Sequence, residues 1–329
     1  MATDLLERSD LLAALAACAR DASAGQGGIV LVSGEAGIGK TSLLERFAAT
    51  NGRGRVLWGG CESLATPRPL GPLHDVAAQA GSALRSLLAR PHDRGAVFGA
   101  VLDELARAPT PTLLVFEDVH WADEATLDLI KFVGRRIQRL PALLVLSHRD
   151  DIASLATLRP VLGQLPATHL TRIAVPPLSR QAVAALTTAS ARADGAGVFA
   201  ATGGNPFFVT EVLRQGEAGA GVPSTVRDAV LGRAAQLGAA PMQVLQLAAI
   251  VPRQVELQLV ADVLAPATED VEACLASGLL VADGAALRFR HELARTAIEE
   301  AILPPRALQL HGRVPVSYTH LTLPTICSV

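Results

Sequence analysis

The stretch GEAGIGKTS at residues 34–42 sets three glycines, a lysine and two hydroxyl side chains in the order GxxxxGK[ST], directly after the apolar run IVLV at 29–32. Glycines let main-chain N–H groups close around a phosphate where a helix begins. A lysine at this spacing reaches the outer oxygens, and the hydroxyl beside it is a hard ligand for Mg2+. Gly34, Glu35, Ala36, Gly37, Ile38, Gly39, Lys40, Thr41 and Ser42 are therefore the candidate phosphate-binding residues, with Lys40 on the β and γ oxygens and Thr41 on the metal. Only Lys40 and Lys131 are lysines among the 29 basic residues, so a lysine in this loop stands out against a background that uses arginine.

A phosphate loop alone hydrolyses nothing. Catalysis needs acids at the end of a second buried strand, and LLVFED at 113–118 supplies them. One acid holds the metal through water while the other orients or deprotonates the attacking water. Glu117 is assigned to the metal and Asp118 to the water, an order that the residue types alone leave interchangeable. Arg149 follows the next apolar run, 143–147, from where it reaches a γ-phosphate as a sensor or in-cis finger, or else is a surface cation. His120 and Trp121 cover the sheet edge and lead to Asp123, placed as a helix N-cap.

These residues need a frame that brings strand tips together. Apolar runs at 29–32, 55–58, 112–116, 142–147 and 170–175 read as buried parallel strands, spaced widely enough for helices between them. Helical periodicity marks 5–22, and again 123–140 through Leu127, Ile130, Val133, Ile137 and Leu140. After Pro176 the pattern turns to short helices at 180–190, 206–214, 225–237 and 242–250. Two further helices follow from 255, then a hairpin around Asp283-Gly284. The fold class this implies is α/β: a P-loop parallel-sheet core with a helical lid and a winged-helix subdomain. The divisions are a lead-in helix at 1–27, the core at 28–176, the lid at 177–221, the winged-helix-like part at 222–313, and a tail at 314–329.

Composition narrows the function classes. The net charge of −2, with no lysine- or arginine-rich run, gives no broad electrostatic footprint for nucleic acid. The longest apolar runs fall short of the ~20 residues a bilayer requires, so no membrane partner is expected. MATDLLERSD has neither a basic start nor an apolar signal core, and the four scattered cysteines form no CxxC pair; both predict a cytoplasmic chain. SYTHLTLPTICSV at 317–329 holds the only tyrosine and breaks the preceding texture. It resembles a translated sequencing adapter, which predicts that the natural chain continues past about Val314.

With residues 34–41, LLVFEDVHWAD at 113–123, LLVLSHRDD at 143–151 and ATGGNPFFVTEVL at 201–213 in view, the chain resembles the signal-transduction ATPases with numerous domains. The nearest likeness is the N-terminal ATPase module of large LuxR-type, maltose-regulator-like bacterial transcriptional regulators, and it runs from about Leu5 to about Arg313. The resemblance implies an ATP/ADP-binding, Mg2+-dependent switch that self-associates with ATP. DNA binding would come through a C-terminal domain beyond this chain. It also implies that Arg8 lies near adenine, although Glu7 replaces the family's usual glycine, that Pro206 packs on the base, and that His291 nears the β-phosphate of ADP. Read on its own, His291 is a helix-start residue beside the hairpin. The same ATPase type accompanies nucleotide cyclases and protein kinases, and a stand-alone P-loop motor is the remaining alternative.

Overall fold

A computed structural model of the chain describes residues 5–50, 54–64, 66, 68–80, 82–89, 94–108, 110–190, 194–215 and 221–314. The adapter-like tail from 315 onward, with Cys327, lies outside the described residues. The chain divides into two compact units, Met1–Pro176 and Pro177–Val329.

In the first unit, α1 (Ser9–Ser23) leads to β1 (Gly28–Ser33), α2 (Lys40–Thr50) and β2 (Arg55–Gly60). Three helices follow, α3 (Gly71–Gln79), α4 (Ser82–Leu88) and α5 (Arg94–Ala106), and then β3 (Thr112–Glu117), α6 (Glu124–Gly134), β4 (Ala142–His148), α7 (Ile152–Leu162) and β5 (Leu170–Ala174). The five strands form one parallel sheet in the order β2-β3-β4-β1-β5.

Alternation along the strands explains why their sequences are apolar almost without interruption. Leu31, Leu114, Phe116, Leu144 and Leu146 face α3 to α7, while Val30, Val32, Val115, Leu143 and Val145 face α1 and α2. Both faces are covered, so every residue of β4 is buried. β4 lies between β1 and β3, with Ser33 level with His148 and Phe116 level with Leu146. Gly34, Asp118 and Arg149 therefore leave the sheet along one edge.

In the first unit two helices differ from the sequence reading. The helix expected from Leu5 starts only at Ser9, because Glu7 takes a left-handed φ of 56° and Arg8 turns its side chain inward. The periodic segment expected as one helix to Leu140 ends at Gly134, a poor helix former. A 3-10 turn at Ile137–Arg139 then buries Ile137, so the apolar period outlasts the helix. Asp123 does cap α6, its carboxylate accepting from the Thr126 N–H.

The second unit is mostly helical. It contains α8 (Arg180–Ala189), α9 (Gly195–Thr202), α10 (Pro206–Gln215), α11 (Ser224–Ala235), α12 (Ala239–Ile250), β6 (Val255–Glu256), α13 (Leu257–Leu264), α14 (Thr268–Ala276), β7 (Leu280–Asp283), β8 (Ala286–Phe289), α15 (Glu292–Glu300) and α16 (Pro304–Arg313). The three short strands pair antiparallel as β6-β8-β7, and the two-residue turn falls on Gly284-Ala285, one position later than expected. The core gathers around α12, where Val244, Leu245, Leu247 and Ala249 are fully buried.

Candidate nucleotide and metal site

The loop between β1 and α2 takes the backbone that its glycines permit: φ is 154° at Gly34, 78° at Gly37 and 94° at Gly39. A side chain at Gly34 would press on Ile38 and on the Val175 carbonyl, both at 3.0 Å. Helix α2 starts at Lys40, so the positive end of its dipole points into the loop, and no acidic residue occupies its first turn. The Lys40 ammonium donates to the carbonyls of Gly34 at 2.9 Å and Glu35 at 3.0 Å, which closes the loop. Burial lowers the pKa of Lys40; Asp118 opposes that shift and Arg149 adds to it. Ser42 is exposed in the first turn of α2.

Thr41 and Glu117, 76 residues apart, meet: the Thr41 hydroxyl donates to Glu117 Oε1 at 2.7 Å. The other carboxylate oxygen, Oε2, accepts from the indole N–H of Trp58 at 3.0 Å. Asp118 has φ 51° and ψ 43°, a left-handed turn directly off β3, and its main-chain N–H donates to Ser147 Oγ at 3.0 Å. This turn sends consecutive acids in different directions, Glu117 toward Thr41 and Asp118 toward His120. The Nδ1 of His120 lies 3.8 Å from Asp118 Oδ1. Burial holds the His120 pKa down to about 3, helped by the charge of Arg149, so the imidazole is neutral and the approach is not an ion pair. Arg149, half-buried beyond β4, stacks over Trp121 at 5.7 Å from its ring centre.

A hydroxyl and a carboxylate oxygen in contact form a hard donor pair suited to Mg2+. Among the described residues no cluster of three or more His, Cys, Asp or Glu could hold a metal alone. Mg2+ keeps several of its waters and takes further ligands from substrate phosphate, so it needs few donors from the protein.

Arg8 is buried and spends its guanidinium on main-chain carbonyls: Pro176 at 2.7 Å, Glu7 at 3.1 Å and Ile38 of the phosphate loop at 3.5 Å. Desolvation lowers its pKa, with Glu7 opposing. Pro206 and His291 belong to the second unit. Pro206 opens α10 behind the fully buried Asn205, whose side chain accepts from the Phe207 N–H at 3.1 Å. His291 sits at the N-cap of α15, with its ring edge-on to Phe208 at 4.9 Å. A side chain at Gly203 would reach its Nδ1 at 2.9 Å, so His291 packs on the turn that carries Pro206.

Sequence reasoning missed Trp58 and Ser147. Both lie within apolar strand runs, where a tryptophan or a serine reads as filler; the only available signal was their place near the end of a strand beside β3.

Residues 4–146 match the AAA ATPase domain family. With its phosphate loop and parallel sheet, this part of the chain has the fold of P-loop ATPase domains. A Walker-type ATPase of Pyrococcus abyssi superposes at a TM-score of 0.63 and 14% identity, over 90% of this chain and 96% of that one. The ORC2 protein of Aeropyrum pernix, solved in ADPNP and ADP complexes, gives 0.56 and 13% over 94% and 96%. A STAND protein with a tetratricopeptide repeat sensor from Pyrococcus horikoshii gives 0.43 and 14% over 94% and 45%. An uncharacterized protein of Rhizobium meliloti (strain 1021) is 27% identical over 88% of this chain, which spans 35% of that protein's length. The likenesses to the Walker-type ATPase and to ORC2 establish the fold. Among the described residues, no helix is long and apolar enough to cross a membrane.

Proposed function

We propose that the chain binds ATP with Mg2+ and hydrolyses it slowly, and that it works as a STAND-type switch module of a LuxR-type transcriptional regulator in the cytoplasm. The observation that carries the ATPase reading is the meeting of Thr41 and Glu117 at 2.7 Å beside the Lys40 loop. Magnesium, when bound, neutralises charge on the β and γ oxygens. Thr41 supplies a hydroxyl ligand and Glu117 accepts from the metal's water shell. Lys40 gives its charge to the outer phosphate oxygens once it leaves the Gly34 and Glu35 carbonyls. Asp118, turned away from Glu117, accepts a proton from the attacking water or orients it. Arg149 stabilises charge on the γ-phosphate as it develops.

The switch reading rests on the GNPFF and VHWAD segments and on the second unit's helices and three-stranded sheet, which we take as a lid and a winged helix. In that reading Pro206 meets the base, His291 senses the β-phosphate and Arg8 supports the adenine side. Inverting a 1:99 population takes ~5.5 kcal/mol of differential binding. Three charge-assisted hydrogen bonds to a γ-phosphate at ~2 kcal/mol each, within the usual ~1.5–3, supply it. ADP would then hold the module inactive and ATP would permit self-association, with DNA contacted by a domain outside this chain.

The test is Lys40→Ala in calorimetric titration with a non-hydrolysable ATP analogue and Mg2+. Wild type binds and the variant does not; equal affinity would remove the site. Sedimentation of wild type with ADP and with the analogue tests the switch separately, and an unchanged oligomeric state would remove that part alone.

A further inference from the structure

Trp58 does more than fill the edge of the sheet. It lies on β2, the outermost strand, level with Val115 of β3. Among the described residues its outward main-chain groups have no neighbouring strand, and Gln79 replaces one: the Gln79 side-chain oxygen accepts from the Trp58 N–H at 3.0 Å, while its amide donates to the Trp58 carbonyl at 2.6 Å. The residue is thereby clamped from outside, and its ring packs with the cluster on the α1 and α2 face. The indole N–H, which can only donate, points inward at Glu117 Oε2 at 3.0 Å.

Glu117 is thus held at both oxygens by different elements, Oε2 by β2 and Oε1 by the first turn of α2. An unassisted glutamate at a strand tip keeps its rotamer freedom, and a carboxylate free to rotate presents either oxygen to the cation's water shell. A donor-only group fixed from behind removes that freedom and competes with no metal ligand.

We propose that Trp58 is a positioning residue for the metal-site carboxylate: its indole N–H holds Glu117 Oε2, so that Oε1 faces the Thr41 hydroxyl and the water shell of the cation that Thr41 binds. The inference rests on the Mg2+ site of the proposed function. Outer-shell partners of this kind are worth roughly 10- to 100-fold in metal affinity.

The experiment measures binding of a non-hydrolysable ATP analogue by titration calorimetry across Mg2+ concentrations and in EDTA. It uses wild type, Trp58→Phe, Glu117→Gln and the double variant. Phenylalanine keeps an aromatic six-membered ring and removes the donor. The expected result is a half-saturating Mg2+ concentration raised about 10-fold or more in Trp58→Phe, an unchanged affinity in EDTA, and no further rise when Trp58→Phe is added to Glu117→Gln. An unchanged Mg2+ requirement in Trp58→Phe overturns the proposal. So does an equal loss in EDTA, or a full extra loss on top of Glu117→Gln, since either marks a structural role. If Trp58→Phe does not fold, benzothienylalanine at position 58, with sulfur in place of the N–H, makes the same comparison. A wild type whose nucleotide binding ignores Mg2+ would instead remove the metal site itself.

Discussion

The main-chain N–H of Asp118 donates to the hydroxyl of Ser147 at 3.0 Å, a bond between the tips of two adjacent strands. It holds Asp118 in the left-handed region, where a residue with a Cβ pays roughly 1–2 kcal/mol, and that turn is what separates the aims of Glu117 and Asp118.

Ser147→Ala removes the acceptor at a position that is 1% exposed. The Asp118 N–H then loses its partner, at a cost of about 1–2 kcal/mol in stability. Hydrolysis falls while nucleotide affinity stays, because the loop and Lys40 do not depend on Ser147. Ser147→Thr restores both. Denaturation curves and single-turnover hydrolysis check this, and an affinity loss that tracks the rate loss would place Ser147 behind the phosphate loop instead.

Glu117→Gln and Asp118→Asn separate the two acids. Glu117, bonded to Thr41, gives a variant with a raised Mg2+ requirement. Asp118→Asn binds ATP and Mg2+ as wild type does but turns over roughly 10²–10⁴-fold more slowly. Binding and rate measured side by side decide the assignment, and the opposite pattern exchanges the roles.

The strands were legible because burial on both faces demands unbroken apolar runs, and IVLV, LLVF and LLVL have few other uses. The phosphate loop was legible because its contacts are local in sequence. Lateral contacts were not. That Trp58 meets Glu117 and Ser147 meets Asp118 depends on β2 and β4 flanking β3, and strand order is not written in the hydropathy of any strand. Helix α9, Gly195–Thr202, went unseen for a different reason: GAGVFAAT has no polar face to set a period. Ile137 shows the converse, an apolar position in helical phase buried by a 3-10 turn.

His120 makes stability depend on pH. In the fold, burial first and the charge of Arg149 second hold its pKa down to about 3, whereas an unfolded histidine titrates near 6.5. Between these values the unfolded chain takes up a proton that the folded chain refuses. Stability is therefore full above about pH 6.5 and is lost as the pH falls toward 3, on the order of 1 kcal/mol per pH unit at the steepest. His148, lowered chiefly by its own burial, acts in the same direction. His120→Phe keeps an aromatic ring against Trp121 and removes one of the two contributions. Urea midpoints at pH 7.5, 6 and 5 fall less steeply in the variant than in wild type. An unchanged slope would mean that His120 accepts a proton in the fold, with Asp118 as its partner.

Gly204 fixes the turn that carries Pro206, and its replacement meets rigid main chain. Its φ is 77°, and a Cβ there would lie 2.1 Å from the Leu178 carbonyl oxygen. The Gly204 carbonyl also accepts from the Leu178 N–H at 2.9 Å, so the two backbones cannot part without losing that bond. Behind them Asn205 is fully buried, and a shift of the turn would disturb its bond to the Phe207 N–H. Gly204→Ala therefore pays for backbone strain and for a clash with rigid main chain together, about 3 kcal/mol or more. Gly284→Ala is the control: its φ of 58° is also left-handed, but nothing lies within 4 Å of the added carbon, which leaves only the conformational cost of roughly 1–2 kcal/mol. Unfolding followed by circular dichroism ranks the two variants, with Gly204→Ala losing clearly more. Equal losses would mean that the close approach to Leu178 does not constrain the turn.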